Sequence, residues 1–411
     1  MRLAFVNRFY APDHSATSQL LTDLAVALAA GGAEVHVVTS RLRYDDPAAR
    51  LPPREDIDGV HVHRVRTTSF GRATLVGRGF DYLSFYVTAI FEVFRVIRKG
   101  DVVVAKTDPP LISVPVRWVA GFRDARVVNW LQDVFPEAAG ALGLGLGRGI
   151  FGRLLSWFRN ESLRRASANV VLGRLMCDRV VALGVDPGRV VVIPNWADGS
   201  AIEPVPAASN PLRAEWRLGG KFVVGYSGNM GRAHEFETIL DAAMALRDDP
   251  EVVFLFIGGG AQRAMIAEAS AARGLGNLVF KPYQPRERLA QSLSAADAHL
   301  VSLQPSLEGL IVPSKFYGIA AAWRPTIFVG DLNGEIATEL RSSESGFSVR
   351  PGDVGELVAA IRALRGDDNL RDRMGRNARR VFEARFDKPI AVERWRRLLG
   401  DVAEGRAVGQ A

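Results

Sequence analysis

The chain has 411 residues, 48% of them apolar and 24% charged, which is the composition of a folded globular protein of two or three domains and excludes a disordered chain, a coiled coil and a collagen-like fibre. Its 52 basic against 45 acidic side chains leave a formal charge of +7, a balance suited to anionic partners such as nucleic acid, phosphorylated substrates or an acidic membrane surface. The single cysteine, Cys177, excludes an internal disulfide framework and any multi-cysteine metal site.

Residues 2–7 form a short apolar run that reads as a buried strand. A polar loop follows, then apolar positions at Leu20, Leu21, Leu24, Ala25 and Leu28 mark a helix, with Ser18 or Thr17 as its N-cap and Gly31-Gly32 as its stop. Residues 34–40 complete a strand–helix–strand unit, which implies parallel strands. Further strands are predicted at 59–65, 101–107, 126–131, 169–172 and 190–194. Three prolines without periodicity, from Ala201 to Pro211, read as a linker. Alternation then restarts, with strands at 221–226, 252–257, 278–281, 299–303, 326–329 and 347–349 and clear helices at 237–246 and 261–273. Residues 357–403 read as mostly helical. The sequence therefore predicts an α/β protein with two doubly wound parallel sheets in series: residues 1–200, with a C-terminal helix (388–411) packing back on them, and residues 201–387. Such sheets bind ligands at the carboxyl ends of their strands. The longest strongly apolar stretch, Tyr82 to Phe91, is about half the ~20 residues of a membrane span, so the expectation is a soluble or peripheral protein.

The first strand–helix turn lacks the Gly-x-Gly-x-x-Gly of a dinucleotide site, which disfavours an oxidoreductase. Ser15 and Thr17 stand there instead, able to hold a phosphate or a sugar hydroxyl at a helix N-terminus, or simply to cap it. In the second half, one strand enters Gly228-Asn229-Met230-Gly231-Arg232 and the next ends in Gly258-Gly259-Gly260 before a helix. Either is a tight turn by itself; two in consecutive turns make a pair of backbone cradles for a diphosphate. Lys315 opens a predicted helix, where the dipole repels an ammonium unless an anion is bound; a solvated lysine is the plainer reading. Asp133, just past a strand end, suits a sugar or acceptor hydroxyl, or a structural cap. His36, His61 and His63 alternate along strand patterns and read as structural. Two Arg- and aromatic-rich segments, 82–98 and 148–165, fit either an anionic membrane surface or buried helices with a charged outer face. No nucleic-acid-binding module accompanies them.

The ordered set Tyr10-Ala-Pro, Gln132-Asp133, Pro136-Glu137, Ile193-Pro-Asn-Trp-Ala-Asp198, Tyr226-Ser-Gly-Asn-Met-Gly-Arg232, Ile257-Gly-Gly-Gly260, Pro313-Ser-Lys-Phe-Tyr-Gly318 and Gly334-Glu335 resembles the retaining family 4 glycosyltransferases of GT-B fold, in the WbuB-like branch that serves cell-surface polysaccharide assembly. The resemblance implies two Rossmann-like domains facing a cleft, with no metal or other cofactor. It implies a UDP-sugar donor, of N-acetylated hexose type, on the C-terminal domain and a polyprenol-diphosphate-linked or other saccharide acceptor on the N-terminal one. The enzyme would be cytoplasmic or at the inner face of the cytoplasmic membrane, with peripheral attachment and no nucleic acid; the oligomeric state stays open. Glu308, Lys315, Arg232 and Asp133 would carry the chemistry. Ser15, Thr17, Gly228, Asn229, Gly231, Gly258, Gly259, Gly260, Ser314, Tyr317 and Glu335 would bind the substrates, with Tyr283 and Gln284 near the base. The pattern departs from the family at three places. Gly318 stands where the family has a second glutamate, Asn229 and His234 stand where it has phosphate-binding Arg and Lys, and Gln132 replaces its usual histidine. A UDP-sugar 2-epimerase and a degenerate nucleotide-sugar-binding partner protein remain as alternatives.

Overall fold

The computed structural model describes all residues except 44, 45, 47, 71–74, 144–148 and 409–411; of the positions singled out above, Arg148 lies outside the described residues. The chain forms two compact units, Met1–Pro194 with Ala391–Ala411, and Asn195–Ile390.

The first unit runs β1 (Arg2–Val6), α1 (Ala16–Ala30), β2 (Glu34–Ser40), β3 (Arg54–Ile57), β4 (Val60–Val65), α2 (Leu75–Val96), β5 (Val102–Lys106), α3 (Ser113–Phe122), β6 (Arg126–Trp130), α4 (Glu137–Ala141), α5 (Gly149–Arg165), β7 (Ala168–Val171), α6 (Arg174–Ala182) and β8 (Val190–Val192). Its eight strands lie in the order β3-β4-β2-β1-β5-β6-β7-β8. All pair in parallel except β3, which runs antiparallel to β4. The sequence reading missed β3 because Arg54, Glu55 and Asp56 are exposed and charged, the pattern of a solvated edge strand rather than a buried one. The interior strands carry Val-rich runs, such as all five residues of β5, because helices cover both sheet faces. The first helix starts earlier than expected, with Ser15 rather than Ser18 or Thr17 at the N-cap; Asp13 Oδ1 accepts the Ser15 N–H at 2.8 Å, which fixes the entry.

The second unit runs α7 (Pro211–Glu215), β9 (Phe222–Ser227), α8 (Glu237–Ala245), β10 (Val252–Ile257), α9 (Arg263–Ala272), β11 (Leu278–Lys281), α10 (Leu289–Ser294), β12 (Ala298–Ser302), α11 (Lys315–Ala321), β13 (Thr326–Val329), α12 (Glu335–Ser343), β14 (Gly346–Val349), α13 (Val354–Gly366) and α14 (Asp368–Arg385). Its six strands are all parallel, in the order β11-β10-β9-β12-β13-β14. Ile239, Ala243, Ile266, Leu357 and Ile361 cover one face of the sheet, while Leu212, Trp216 and Ala296 cover the other. Strand order reverses between β9 and β12. That switch point, where neighbouring loops diverge, is where a doubly wound sheet opens a ligand crevice.

The last helix, α15 (Lys388–Glu404), belongs mainly to the first unit. It buries Val392, Trp395, Leu398, Leu399 and Val402, a spacing of three and four residues that makes one apolar stripe. Trp395 meets Trp130 with ring centroids 4.6 Å apart. Arg126 donates to the Val402 carbonyl at 2.6 Å, placing a cation on the negative end of the helix. Replacing Trp395→Ala is expected to destabilise the first unit by ~3–5 kcal/mol. A urea titration followed by fluorescence checks this; an unchanged midpoint would show that α15 is not part of that core.

Candidate active site

The loops after β9 and β10 pack backbone to backbone. The Gly228 N–H donates to Ile257 O at 2.8 Å and the Met230 N–H to Gly259 O at 2.7 Å; Gln262 returns bonds to Met230 O and Gly231 O. Gly258 and Gly260 have φ of 132° and 133°, a region that L side chains rarely adopt. A Cβ on Gly258 would strike the Gly228 carbonyl, and one on Gly260 would lie 2.6 Å from the Met230 nitrogen. The two glycine turns thus form one double loop, which no side chain could enter. Tyr283, after β11, is more than half exposed and lies over this loop; its ring would be 3.2 Å from a Cβ on either Gly258 or Gly259.

Lys315 closes the other side. Its Cε would lie 3.1 Å from a Cβ on Gly228. Its Nζ sits 2.8 Å from His234 Nε2, and His234 Nδ1 lies 2.5 Å from the carbonyl of Ser302, the last residue of β12. A carbonyl only accepts, so His234 carries its proton on Nδ1 and donates it there, which leaves Nε2 to accept from the lysine. The pair therefore joins the loop after β9 to the end of β12, at the switch point. Burial and the neighbouring Lys315 push the His234 imidazole down to about 3. Burial pushes the Lys315 amine down to about 7, and among the described residues no carboxylate offsets that shift. His234 is the residue that inspection of the sequence did not assign a role; its only signal was its position, where the family carries a lysine.

The other predicted residues separate. Arg232 is exposed, and its carbonyl accepts from Gln304 Nε2 at 2.8 Å, which holds the loop rather than the guanidinium. Asn229 stays in the double loop, where its carbonyl accepts from the Tyr226 hydroxyl at 3.2 Å. Glu308 Oε1 accepts the Glu335 N–H at 2.9 Å, at the first turn of α12, and a Cβ on Gly334 would strike the other carboxylate oxygen. Glu308 thus caps α12. Burial raises its carboxyl above the usual range, with Glu335 and Asp331 adding to the shift. Ser314 is the exposed N-cap of α11; Tyr317 is buried between Phe316 and Phe386. Gln284 bonds only back to Pro282 O. A Cβ on Gly318 would meet Leu293 Cδ1 at 3.4 Å, an ordinary van der Waals contact.

In the first unit, Asp133 lines a cavity of about 30 Å³ at the ends of β5 and β6, with Lys106, Thr107, Asn129 and Arg159 among its neighbours. Burial, then repulsion from Asp108, raises the Asp133 carboxyl to about 7. Its Oδ1 is buried without a hydrogen-bond partner, as is the Ser15 hydroxyl at the start of α1. Lys106 is fully buried, and burial pushes its amine well below the usual range; its Nζ donates to Thr17 O at 2.9 Å and lies 3.5 Å over the Trp130 ring. His36, His61 and His63 stack across β2 and β4, pairing with Glu34, Asp56 and Glu92, and hold the sheet edge.

The Lys315 shift fixes a sign. Between pH 7 and 10.5 the unfolded chain keeps a proton that the folded chain has lost, so this group's contribution to stability rises with pH through that window and is at its worst below it. Lys315→Met is therefore expected to raise the unfolding midpoint of the ligand-free protein, with the widest gap below pH 7 and a closing gap towards pH 10. Differential scanning calorimetry of both proteins over that range tests it; a pH-independent gap would contradict a buried, unpaired amine.

A family described as Glycosyl transferase 4-like domain matches residues 16–196, and one described as Glycosyl transferases group 1 matches residues 210–381. The chain is 28% identical over 369 residues, 86% of its own length and 89% of the relative's, to WcaI of Escherichia coli K12, a glycosyl transferase named for colanic acid biosynthesis. It is 30% identical over 303 residues, 72% of its length and 74% of the relative's, to the glycosyltransferase WbjE of Pseudomonas aeruginosa. Among solved structures, Anabaena HepE in complex with UDP and glucose superposes with a TM-score of 0.73 at 16% identity, covering 98% of this chain and all of that one. Two parallel-sheet domains, both family matches and these relatives agree: the chain belongs to the family 4-type glycosyltransferases of GT-B fold.

Proposed function

We propose that the enzyme transfers a sugar from a UDP-sugar to a hydroxyl of a lipid-linked saccharide, with retention at the anomeric carbon, in cell-surface polysaccharide biosynthesis. The observation that carries the reading is the half-buried amine of Lys315, beside the double glycine loop at the sheet's switch point, with a histidine and no carboxylate for company. A neutral-leaning lysine beside a backbone loop that no side chain can enter is a site short of an anion. The relatives' names, colanic acid biosynthesis among them, and the UDP and glucose held by HepE support the substrate classes.

The bond from the anomeric carbon to the β-phosphate oxygen breaks, and its electron pair goes to that oxygen. The acceptor hydroxyl attacks the same face and passes its proton to the departing diphosphate, so no side-chain nucleophile is needed. Charge that grows on the phosphate is met by the loop N–H groups and by Lys315, which gains a proton as the anion arrives; losing one such contact typically slows turnover by ~10²–10³. The positive charge needed for the leaving group is supplied by the chain itself, and no metal enters the reaction. Asp133 Oδ1, buried and unpartnered, accepts from a second, non-reacting hydroxyl of the acceptor and positions it.

Four measurements test this. UDP should raise the unfolding midpoint more than GDP, dTDP or CMP. UDP binding at pH 8 should take up close to one proton, read by calorimetry in buffers of different ionisation enthalpy; no uptake would remove Lys315 from the phosphate site. Lys315→Ala should lower turnover at least tenfold while leaving the fold intact, and activity should persist in EDTA. Nucleotide binding without any transfer or hydrolysis would instead favour a binding partner, and epimerised UDP-sugar without acceptor would favour an epimerase.

A further inference from the structure

Helix α2 is apolar on two opposite sides. Asp81, Phe85, Ala89 and Val93 face the sheet, where Phe85, Ala89 and Val93 pack with Ala4, Val6, Val38 and Val103. Val76, Phe80, Leu83, Val87, Phe91 and Phe94, spaced by three and four residues, are all exposed. Ala89 sits two residues from both Val87 and Phe91, roughly 200° around the helix, so the second stripe points away from the protein. An exposed apolar stripe of six residues is not how a surface helix of a globular domain is built.

The stripe continues on its neighbours. Helix α3 packs beside α2 on the same sheet face, through Ile112, Val116 and Val119, and turns Trp118 and Phe122 outward; Phe122 is 84% exposed. Helix α5 packs beside α3, joined by a Ser162–Ser113 hydroxyl bond of 3.0 Å, and exposes Ile150 (88%), Phe151, Leu154 and Trp157. The outer face expected to be charged, had these been ordinary buried helices, is apolar. Charge lies around it. Residues 75–99, 113–124 and 149–165 hold ten basic side chains against four acidic ones. Arg95, Arg98, Lys99, Arg153, Arg164 and Arg165 are exposed, and Arg123 lies 3.8 Å over the Phe94 ring, joining α3 to the end of α2.

We infer that the outer face of α2, α3 and α5 docks on an anionic lipid bilayer, with the aromatic and aliphatic side chains in the interface and the arginines on the head groups. The charge sign selects this occupant: a basic rim around an apolar centre matches a negatively charged bilayer, and arginine beside exposed tryptophan is interfacial chemistry. The face lies in the surface rather than across it, since among the described residues no helix is long and apolar enough to span a membrane. The proposal goes beyond the transfer reaction and is tested without donor or acceptor, so the two fail separately. Where both hold, α3 and α5 also supply Ser113 and Arg159 to the Asp133 cavity, so a lipid-linked acceptor would enter from the docked side.

The full chain is incubated with vesicles of phosphatidylcholine alone and of phosphatidylcholine mixed with phosphatidylglycerol, and binding is read by co-sedimentation at low and high salt. Binding is expected to the mixed vesicles only and to weaken with salt. The triple variant Phe91→Ser, Trp118→Ser, Phe122→Ser and the double variant Arg95→Glu, Arg98→Glu should each lose at least tenfold in affinity, with unchanged unfolding midpoints because every replaced side chain is exposed. Brominated lipid should quench tryptophan fluorescence in the wild type and less in Trp157→Phe. No binding to mixed vesicles overturns the proposal, as does full affinity in either folded variant. So does a dimer that the triple variant splits while vesicles are ignored, which would make the face a contact between copies.

Discussion

The second domain is organised around one unfavourable placement: an amine held against the Gly228 turn and the Tyr226 ring, with a neutral imidazole as its hydrogen-bond partner. His234 cannot change role, because its Nδ1 is committed to the Ser302 carbonyl and its ring is buried against Tyr226 and Phe236. Lys315 cannot leave without unpacking the first turn of α11, whose next residues, Phe316 and Tyr317, are in the core. The chain therefore keeps a group that burial discourages from carrying charge, at the point where strand order reverses and loops spread apart. In the proposed reaction an arriving diphosphate would reverse that balance, because it would supply the counter-charge that the protein withholds. Binding energy is then concentrated on the phosphate, which is where a departing nucleotide needs it.

The glycine turns serve the same constraint from the backbone side. With side chains excluded at Gly258 and Gly260, the two loops touch each other directly, and their N–H and C=O groups are paired in a fixed pattern rather than by mobile side chains. Fixed dipoles need no reorganisation as charge develops. Glu308 follows the same logic at α12: a carboxylate bonded to the helix's first N–H both satisfies that donor and is held still by it. Burial raises its pKa, with Glu335 and Asp331 adding to the rise and the N–H of the helix end opposing it.

Much of this was legible in the sequence because parallel strands buried on both faces leave near-continuous apolar runs. Residues 34–40, 252–257, 278–281 and 326–329 appear as strands with unchanged bounds. The glycine turns were legible because an unpaired glycine cluster at a strand end has few other uses. What escaped was what depends on distant chain segments. β3 is an edge strand with β4 as its one strand neighbour, and its exposed charged residues carry no periodic signal of their own. The role of His234 rests on Ser302 and Lys315, 68 and 81 residues away, and no local pattern encodes that meeting. Tyr317 reads as a ligand residue in its motif, yet the helix turn it occupies faces Phe386, in a segment far along the chain. The three histidines of β2 and β4 alternate as strand residues should, but only the parallel register of those strands, His36 opposite His61, makes them a stack.

Helix α2 shows the converse: a pattern visible in sequence whose meaning only the fold decides. Apolar residues at helical spacing are the normal mark of a buried face, and α2 has two such sets on opposite sides. The sheet can accept one of them. Once Phe85, Ala89 and Val93 are placed against the strands, geometry sends Phe80, Val87 and Phe91 outward, where they are exposed among the described residues of the first domain. Leaving them in water would forfeit roughly 25 cal/mol for each Å² of apolar surface, repeated over two neighbouring helices. A chain that surrounds such a face with arginine, rather than replacing it with polar side chains, is built for a surface that is greasy at its centre and negative at its edge.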